Sequence, residues 1–111
     1  MKTLIQTLTL SAVLLTLTNA SFAGDFKKKH PRRAEVNQRV RNQEKRINAG
    51  VKSGTMTAEE AKEDRKNLRG IKREERADVK ANGGHLTKEQ TKGLNQELNT
   101  NSKEIQEDKK N

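Results

Sequence analysis

Large apolar residues are few beyond residue 23 of this chain, and they recur at steps of three, four or seven. The first set is Val36, Val40, Ile47 and Val51, and Gln43 stands where one more apolar residue would continue the stripe. Such steps place side chains on one face of an α-helix, whereas a half-buried strand would require strict alternation. The pattern therefore predicts an all-α chain.

The helix ends can be placed from glycine, proline and threonine. Pro31 suits the first position of a helix because the N–H that it lacks has no partner there. Gly54 can adopt the left-handed conformation that ends a helix. With the two further helix starts described next, we predict helices over about 31–53, 58–81 and 88–108, together forming one helical domain over residues 31–111.

Two short motifs mark the second and third helix starts. In each, a Thr hydroxyl can accept from the backbone N–H three residues later, the Glu or Gln at that position can accept from the Thr backbone N–H, and a preceding apolar residue can pack on the helix. The cap residues are Met56, Thr57 and Glu60 at the first start, and Leu86, Thr87 and Gln90 at the second. The motifs align at a shift of 30 residues, which also aligns Leu68 with Leu98. We therefore predict three antiparallel helices that form a duplicated helix–turn–helix unit sharing its middle helix.

The predicted core is small. It consists of Val36, Val40, Ile47, Val51, Met56, Ala61, Leu68, Ile71, Ala77, Val79, Leu86, Leu94, Leu98 and Ile105, and the chain has no cysteine to add a disulfide. Burying each large residue contributes about 1.5 to 3 kcal/mol, whereas ordering each residue of the chain costs about 1.5 kcal/mol. A monomer is predicted to be marginally stable, and a homodimer is one way to bury more surface.

The first 23 residues have the pattern of a secretory signal peptide. A charged start at Lys2 precedes the uncharged, Leu- and Thr-rich run 4–17, and small residues suited to cleavage end at Ala23, with Ala20 as a second site. The run is too short to span a bilayer, which requires about 20 apolar residues. We therefore expect a periplasmic or secreted protein that begins with a basic tail, residues 24–30.

Positive charge is concentrated in the first part of the exported chain. Residues 24–52 contain ten Lys and Arg against three acidic residues, whereas residues 53–111 contain thirteen against twelve. The segment 27–46 is thus a candidate site for anionic envelope polymers or lipids. Its candidate anion-binding residues are Lys27, Lys28, Lys29, Arg32, Arg33, Arg39, Arg41, Lys45 and Arg46. The chain has no aromatic pattern typical of specific nucleic acid recognition.

No catalytic constellation is visible. The chain has no Cys and only two histidines, His30 and His85, and it contains no glycine-rich phosphate loop. We predict no catalytic residues, no cofactor and no enzymatic activity.

One metal hypothesis deserves a test. Asp78, Asn82, Gly83 and Glu89 occupy positions 1, 5, 6 and 12 of an EF-hand-like loop over residues 78–89. Lys80 stands at position 3, where a ligand oxygen is required. A glycine-rich helix end followed by a helix cap explains the same residues, and we favour that interpretation.

The motifs at the two helix starts resemble those of the periplasmic LTxxQ-motif family of Spy- and CpxP-like proteins. Leu86-Thr87-Lys88-Glu89-Gln90 matches the motif in full, and Met56-Thr57-Ala58-Glu59-Glu60 departs from it at both ends. The resemblance implies an exported helical protein, often a dimer, that shields unfolded clients without ATP or senses envelope stress. Three further segments, residues 30–37, 46–51 and 82–87, resemble small uncharacterised exported proteobacterial helical proteins.

The leading hypothesis is therefore an exported, non-enzymatic binding protein with a chaperone-like or envelope-stress role, whose partners are unfolded or envelope proteins. The alternatives are an electrostatic binder of anionic envelope components through residues 27–46, and a calcium-binding protein.

Overall fold

The computed structural model describes residues 24–110, with side chains described to residue 109. Its three long helices are α1 (Pro31–Ser53), α2 (Ala58–Ala81) and α3 (Lys88–Lys110). No strand occurs within residues 24–110, so the predicted all-α class is confirmed. The third helix extends two residues beyond the predicted 88–108. The predicted signal peptide, residues 1–23, lies outside the described residues.

The chain divides into one unit up to Pro31 and a second from Arg32 onward. In the first unit, residues 24–29 are helical and the side chains of Lys27, Lys28 and Lys29 are exposed. The Phe26 ring lies 5.3 Å from the His30 ring, centroid to centroid. The predicted basic tail therefore contains a short helical segment. The second unit is the helical bundle.

Consecutive helices of the bundle run antiparallel. Near the middle of α2, the Asn67 Nδ2 atom donates to Glu104 Oε2 of α3 at 2.9 Å, and the end of α2 meets the start of α3, where Asn82 donates to Gln90. Late α1 likewise meets early α2, because Arg65 donates to Asn48 at 2.8 Å. α1 and α3 consequently run parallel to each other.

Both predicted helix caps are confirmed. The Thr57 Oγ1 atom accepts from the Glu60 N–H at 3.1 Å, and Glu60 Oε1 accepts from the Thr57 N–H at 2.9 Å. The same pair of bonds joins Thr87 and Gln90, at 3.1 and 3.0 Å. The apolar residues that precede the two threonines, Met56 and Leu86, are both buried. Local sequence therefore fixes where α2 and α3 begin.

Eleven apolar residues form the core of the described chain, and all of them were predicted: Val36, Val40, Ile47, Met56, Ala61, Leu68, Ile71, Leu86, Leu94, Leu98 and Ile105. The core prediction was wrong for Val51, which is 39% exposed, and for Ala77, which is exposed; Val79 is half-buried. The buried position at the end of α1 is Gly50. A Cβ atom there would lie 3.1 Å from Met56 Cβ and 3.1 Å from Lys109 Cε, so glycine allows the turn to pack closely.

Five polar residues complete the buried faces of the helices: Gln43, Asp64, Glu75, Thr91 and Asn101. They lie at the same three- and four-residue steps as the apolar core, which means that they continue the helical stripes instead of interrupting them. A buried polar group is costly unless it is hydrogen-bonded. Gln43 and Asn101 meet this requirement through bonds that cross the bundle.

Candidate functional site

Three of the predicted anion-binding residues hold α1 against α3. Arg32, Arg39 and Arg46 lie seven residues apart on α1 and form what we call the arginine ladder. Arg32 Nη1 donates to the Leu86 carbonyl at 3.3 Å. Arg46 donates to the Ser102 Oγ atom at 2.6 Å and to the Ser102 carbonyl at 3.1 Å.

Arg39 is the most extensively bonded member of the ladder. Its Nη1 atom donates to the Asn95 carbonyl at 3.2 Å and to Asn95 Oδ1 at 2.9 Å, and its Nη2 atom donates to Asn99 Oδ1 at 2.7 Å. The forked, planar guanidinium suits several acceptors at once. The acceptors of the ladder are neutral, so the positive charges are retained while the donors are occupied.

The remaining predicted anion-binding residues of α1 differ in their surroundings. Arg33 lies 3.9 Å from the buried Glu75 carboxylate. Arg41 and Lys45 are exposed, and Arg41 donates to Gln38 of the same helix at 3.1 Å. On α1, therefore, Arg33, Arg39 and Arg46 are half-buried, whereas Arg32, Arg41 and Lys45 are exposed. Of these three exposed cations, only Arg32 bonds to a described residue outside its own helix.

A buried polar network crosses the middle of the bundle. The Gln43 Nε2 atom donates to the Leu98 carbonyl at 2.8 Å, and its Oε1 atom accepts from Asn101 Nδ2 at 3.0 Å. Asn101 Oδ1 in turn accepts from Asn67 Nδ2 at 3.0 Å. One chain of bonds thus connects all three helices, and it fixes their register because any slip would leave buried amides without partners.

Asp64 is different, because its side chain is fully buried and neither carboxylate oxygen has a hydrogen-bond partner among the described residues. The pKa of Asp64 is raised to about 7, first by burial, then by the Asp108 carboxyl, which can share a hydrogen bond with the protonated form, and by the negative charges of Asp108, Glu104 and Glu60. Burial disfavours the charged form of a carboxyl group, as do neighbouring negative charges. Asp64 therefore takes up a proton near neutral pH.

A second crowded carboxyl group lies on the surface between α2 and α3. The pKa of Glu97 is raised to about 7, mainly because its carboxyl shares a hydrogen bond with that of Glu74, and also because of partial burial and the charge of Asp78. Burial also raises the pKa of Glu75, and this effect is opposed by Arg33. Asp64 and Glu97 thus resist ionisation at the interface between α2 and α3, whereas Glu75 faces Arg33 of α1.

The same two helices enclose a groove of about 570 Å³, which we call the acidic groove. Its lining includes Glu63, Glu97 and Glu104, with Ile71 at the buried face of α2. At Gly70, which also lines the groove, a Cβ atom would meet nothing within 4 Å. The groove is open and is lined by more carboxylates than cations, since Lys66 is its one basic residue.

The charges of α2 are segregated. Most of its carboxyl groups lie toward α3, whereas an exposed row of cations, of which only Lys66 borders the acidic groove, runs along its outer side: Lys62, Lys66, Arg69, Arg73, Arg76 and Lys80. This row was not predicted from the sequence, because positive and negative charges nearly balance over residues 53–111. The signal that could have found it is the spacing of the cations, at steps of four and three.

The loop residues proposed as calcium ligands serve as helix ends in the structure. The Asn82 backbone N–H donates to the carbonyls of Asp78 and Val79, both at 3.2 Å, and its side chain donates to Gln90. Glu89 and His85 are exposed. Among the described residues, no three His, Cys, Asp or Glu side chains form a group that could hold a metal ion.

Two further findings concern the described chain as a whole. Val51 is the one large apolar side chain of residues 24–109 that is exposed. No helix within residues 24–110 is both long and apolar enough to cross a membrane. Comparison with protein-family models, curated proteins and solved structures gives no match for this chain.

Proposed function

We propose that the protein is an exported, non-enzymatic, chaperone-like protein that captures unfolded polypeptides by charge and without ATP. The observation that carries the proposal is the acidic groove, an open channel between α2 and α3 with carboxylates at its rim and Ile71 at its base. An extended polypeptide with basic residues fits such a groove by its charge. Apolar capture is a poor alternative because Val51 is the one exposed large apolar side chain of the described residues.

The paired caps lend support of another kind. Met56, Thr57 and Glu60 at one turn, and Leu86, Thr87 and Gln90 at the other, make the same capping bonds. This repetition supports a duplicated helix–turn–helix unit of the kind that the resemblance to LTxxQ-motif proteins implies. Dimerisation through a shared helical surface belongs to the same proposal.

The proposal is tested by aggregation suppression. The mature protein, residues 24–111, is added to a chemically unfolded, basic client at low and at high salt, without ATP. We expect suppression near equal amounts of the two proteins at low salt and a marked loss at high salt, because exposed charges are screened. Absence of suppression at both salt concentrations would refute the proposal.

Two pairs of variants test whether the suppression of aggregation depends on the acidic groove. The Glu63→Gln/Glu97→Gln variant removes two groove carboxylates, and Glu35→Gln/Glu107→Gln removes two exposed carboxylates that do not line it. Gly70→Leu fills the groove without a change of charge, whereas Gly93→Leu adds the same side chain on α3, outside the lining. We expect the groove variant of each pair to suppress aggregation less well than its control.

A second candidate function is electrostatic binding of anionic envelope polymers or lipids through residues 27–46. It is favoured by the exposure of Lys27, Lys28 and Lys29, and by that of Arg41 and Lys45. Replacing these five cations with Gln should abolish binding to anionic vesicles or polysaccharide. Replacing five exposed cations elsewhere should reduce it much less, and equal losses would count against a dedicated segment.

A further inference from the structure

The outer side of α2 carries a row of six exposed cations that we call the cationic stripe: Lys62, Lys66, Arg69, Arg73, Arg76 and Lys80. Successive members are four, three, four, three and four residues apart. At 3.6 residues per turn they lie within an arc of about 80°, and at 1.5 Å per residue they extend along about 27 Å. The stripe is thus a straight line of positive charge on one rigid helix.

The six cations are only weakly neutralised within the described chain, where the charge of Arg76 acts on the Glu75 carboxyl and Lys66 lines the acidic groove. None of them forms an ion pair within 4.0 Å or a side-chain hydrogen bond with another described residue; the ion pairs found within that distance are Arg33–Glu75 and Lys72–Glu44. The arginine ladder of α1 is the opposite case, because Arg39 and Arg46 bond to α3 and Arg32 bonds to the turn that precedes it. The stripe also places like charges four residues apart, an arrangement that destabilises a helix. An anion from outside the chain would relieve this repulsion.

We infer that the cationic stripe binds a linear, phosphate-bearing polymer that lies along α2. The stripe presents a charge about every 5 Å along the helix axis, which a flexible polyanion can follow. Its three central residues, Arg69, Arg73 and Arg76, are arginines, and the guanidinium fork can donate two parallel hydrogen bonds to one phosphate group. This site lies on a different helix from the basic segment 27–46, and the inference does not depend on the proposed chaperone-like function.

The surroundings of the stripe favour a soluble polyanion as its ligand over a membrane surface or a nucleic acid recognised through its bases. A helix that binds at a membrane surface presents bulky apolar residues beside its cations. The one large apolar residue exposed in the described chain is Val51, which lies on α1. Stacking on nucleic acid bases requires aromatic side chains, and Phe26 is the one aromatic residue beyond residue 23. The stripe therefore offers charge and little else.

The test is binding of linear inorganic polyphosphate to the mature protein, followed across a range of salt concentrations. We expect Arg69→Gln/Arg73→Gln/Arg76→Gln to weaken binding at least tenfold and to lower the slope of log affinity against log salt by about two to three. The matched control, Lys88→Gln/Lys92→Gln/Lys103→Gln, removes the same charge from exposed positions of α3, outside both the stripe and the basic segment 27–46, and should weaken binding less than threefold. Equal losses in the two variants would overturn the inference, as would absence of binding by the unaltered protein at low salt.

Two further arms distinguish the ligand and the mode of binding. Phosphatidylglycerol vesicles and single-stranded DNA, each at the same phosphate concentration, should bind no more tightly than polyphosphate, and tighter binding of either would contradict the assignment. Arg69→Lys/Arg73→Lys/Arg76→Lys retains the charge and should retain part of the affinity; complete retention would contradict the bidentate contacts. Gln and Lys are both good helix formers, so circular dichroism should show all variants folded.

Discussion

α3 packs against its two neighbours through opposite chemistry. At the interface with α1, three arginines donate to neutral carbonyl, amide and hydroxyl oxygens, as in the bonds from Arg39 to Asn95 and Asn99. At the interface with α2, carboxyl groups meet other carboxyl groups, as at Glu97 and Glu74. One interface therefore satisfies its charges, whereas the other accumulates like charges. The comparison shows that the interactions at each helix interface depend more on where the charged groups lie than on the net charge of the protein.

The largest expected effect is at the α1–α3 interface. Arg39→Ala removes three hydrogen bonds that a charged guanidinium donates to Asn95 and Asn99. Because such bonds each contribute about 1.5 to 3 kcal/mol before allowance for exposure, we expect a loss of about 3 kcal/mol in the free energy of unfolding. Urea denaturation measures this loss. Arg41→Ala, whose one bond is within its own helix, should change stability by less than about 0.5 kcal/mol, and similar losses in both variants would contradict the importance of the ladder.

The α2–α3 interface should make stability depend on pH. The pKa of Asp64 is raised to about 7 from an unfolded value of 3.8, so the ionised folded state is penalised. The stability contributed by its protonation is complete below pH 4 and is lost as the pH rises through about 7. Raised pKa values at Glu97 and Glu75 act in the same direction.

We therefore expect the free energy of unfolding to be higher at pH 5 than at pH 8, by about 2 kcal/mol from Asp64. Asp64→Asn should remove much of this difference, because the amide does not titrate in this range. Thermal melts at both pH values measure the effect. A bundle that is equally stable at pH 5 and pH 8 would show that Asp64 is not desolvated.

Gly50 and Gly70 differ in how closely the neighbouring helices pack around them. At Gly50, a Cβ atom would lie 3.1 Å from Lys109 of α3, whereas at Gly70 it would enter open space. Gly70→Ala should stabilise the protein by about 0.5 to 1 kcal/mol, since alanine is the better helix former. Gly50→Ala combines the same helix gain with crowding against Met56 and Lys109, so we expect it to be less stable than Gly70→Ala. The reverse order in thermal melts would be inconsistent with this packing.

The smallest expected effect is that of the exposed carboxyl pair. Glu97→Gln removes the repulsion from Glu74 and should stabilise the protein by about 0.5 kcal/mol at pH 8, the usual size for surface charge pairs. High salt screens the same repulsion, so it should increase the stability of the unaltered protein, and it should increase the stability of the variant by a smaller amount. Melting curves at low and high salt provide the measurement, and identical salt responses would rule out the repulsion.

Much of the fold could be predicted from local sequence signals. The capping residues Thr57 and Thr87 fixed two helix starts, and Pro31 fixed a third, because each acts within one turn of its own position. The apolar stripes predicted the core correctly except at Val51, Ala77 and Val79. At the end of α1, Val51 and Gly50 are neighbouring positions that compete for the buried face. The buried position went to Gly50 because of the close turn that follows, which is a tertiary effect.

The candidate site was harder to predict. Arg32, Arg39 and Arg46 were predicted to bind external anions, and their seven-residue spacing was the signal of an internal role. A seven-residue spacing indicates an internal role only when a parallel helix places hydrogen-bond acceptors at a similar spacing, and the sequence does not show that α1 and α3 are parallel neighbours. The burial of Asp64 could likewise not be predicted from hydrophobicity, because a prediction from hydrophobicity places every carboxylate at the surface.

The arginine ladder also keeps the hydrogen-bond donors of three positive charges occupied within the folded bundle. Its bonds join residues 54 to 60 positions apart along the chain, whereas Asn82 and Gln90, at the turn between α2 and α3, are eight apart. Short loops close at lower entropic cost, so the α2–α3 hairpin can persist when α1 separates from it. Separation of α1 would release three guanidinium groups at once. We therefore expect a partly opened molecule to bind anions more strongly than a closed one, although its net charge is the same.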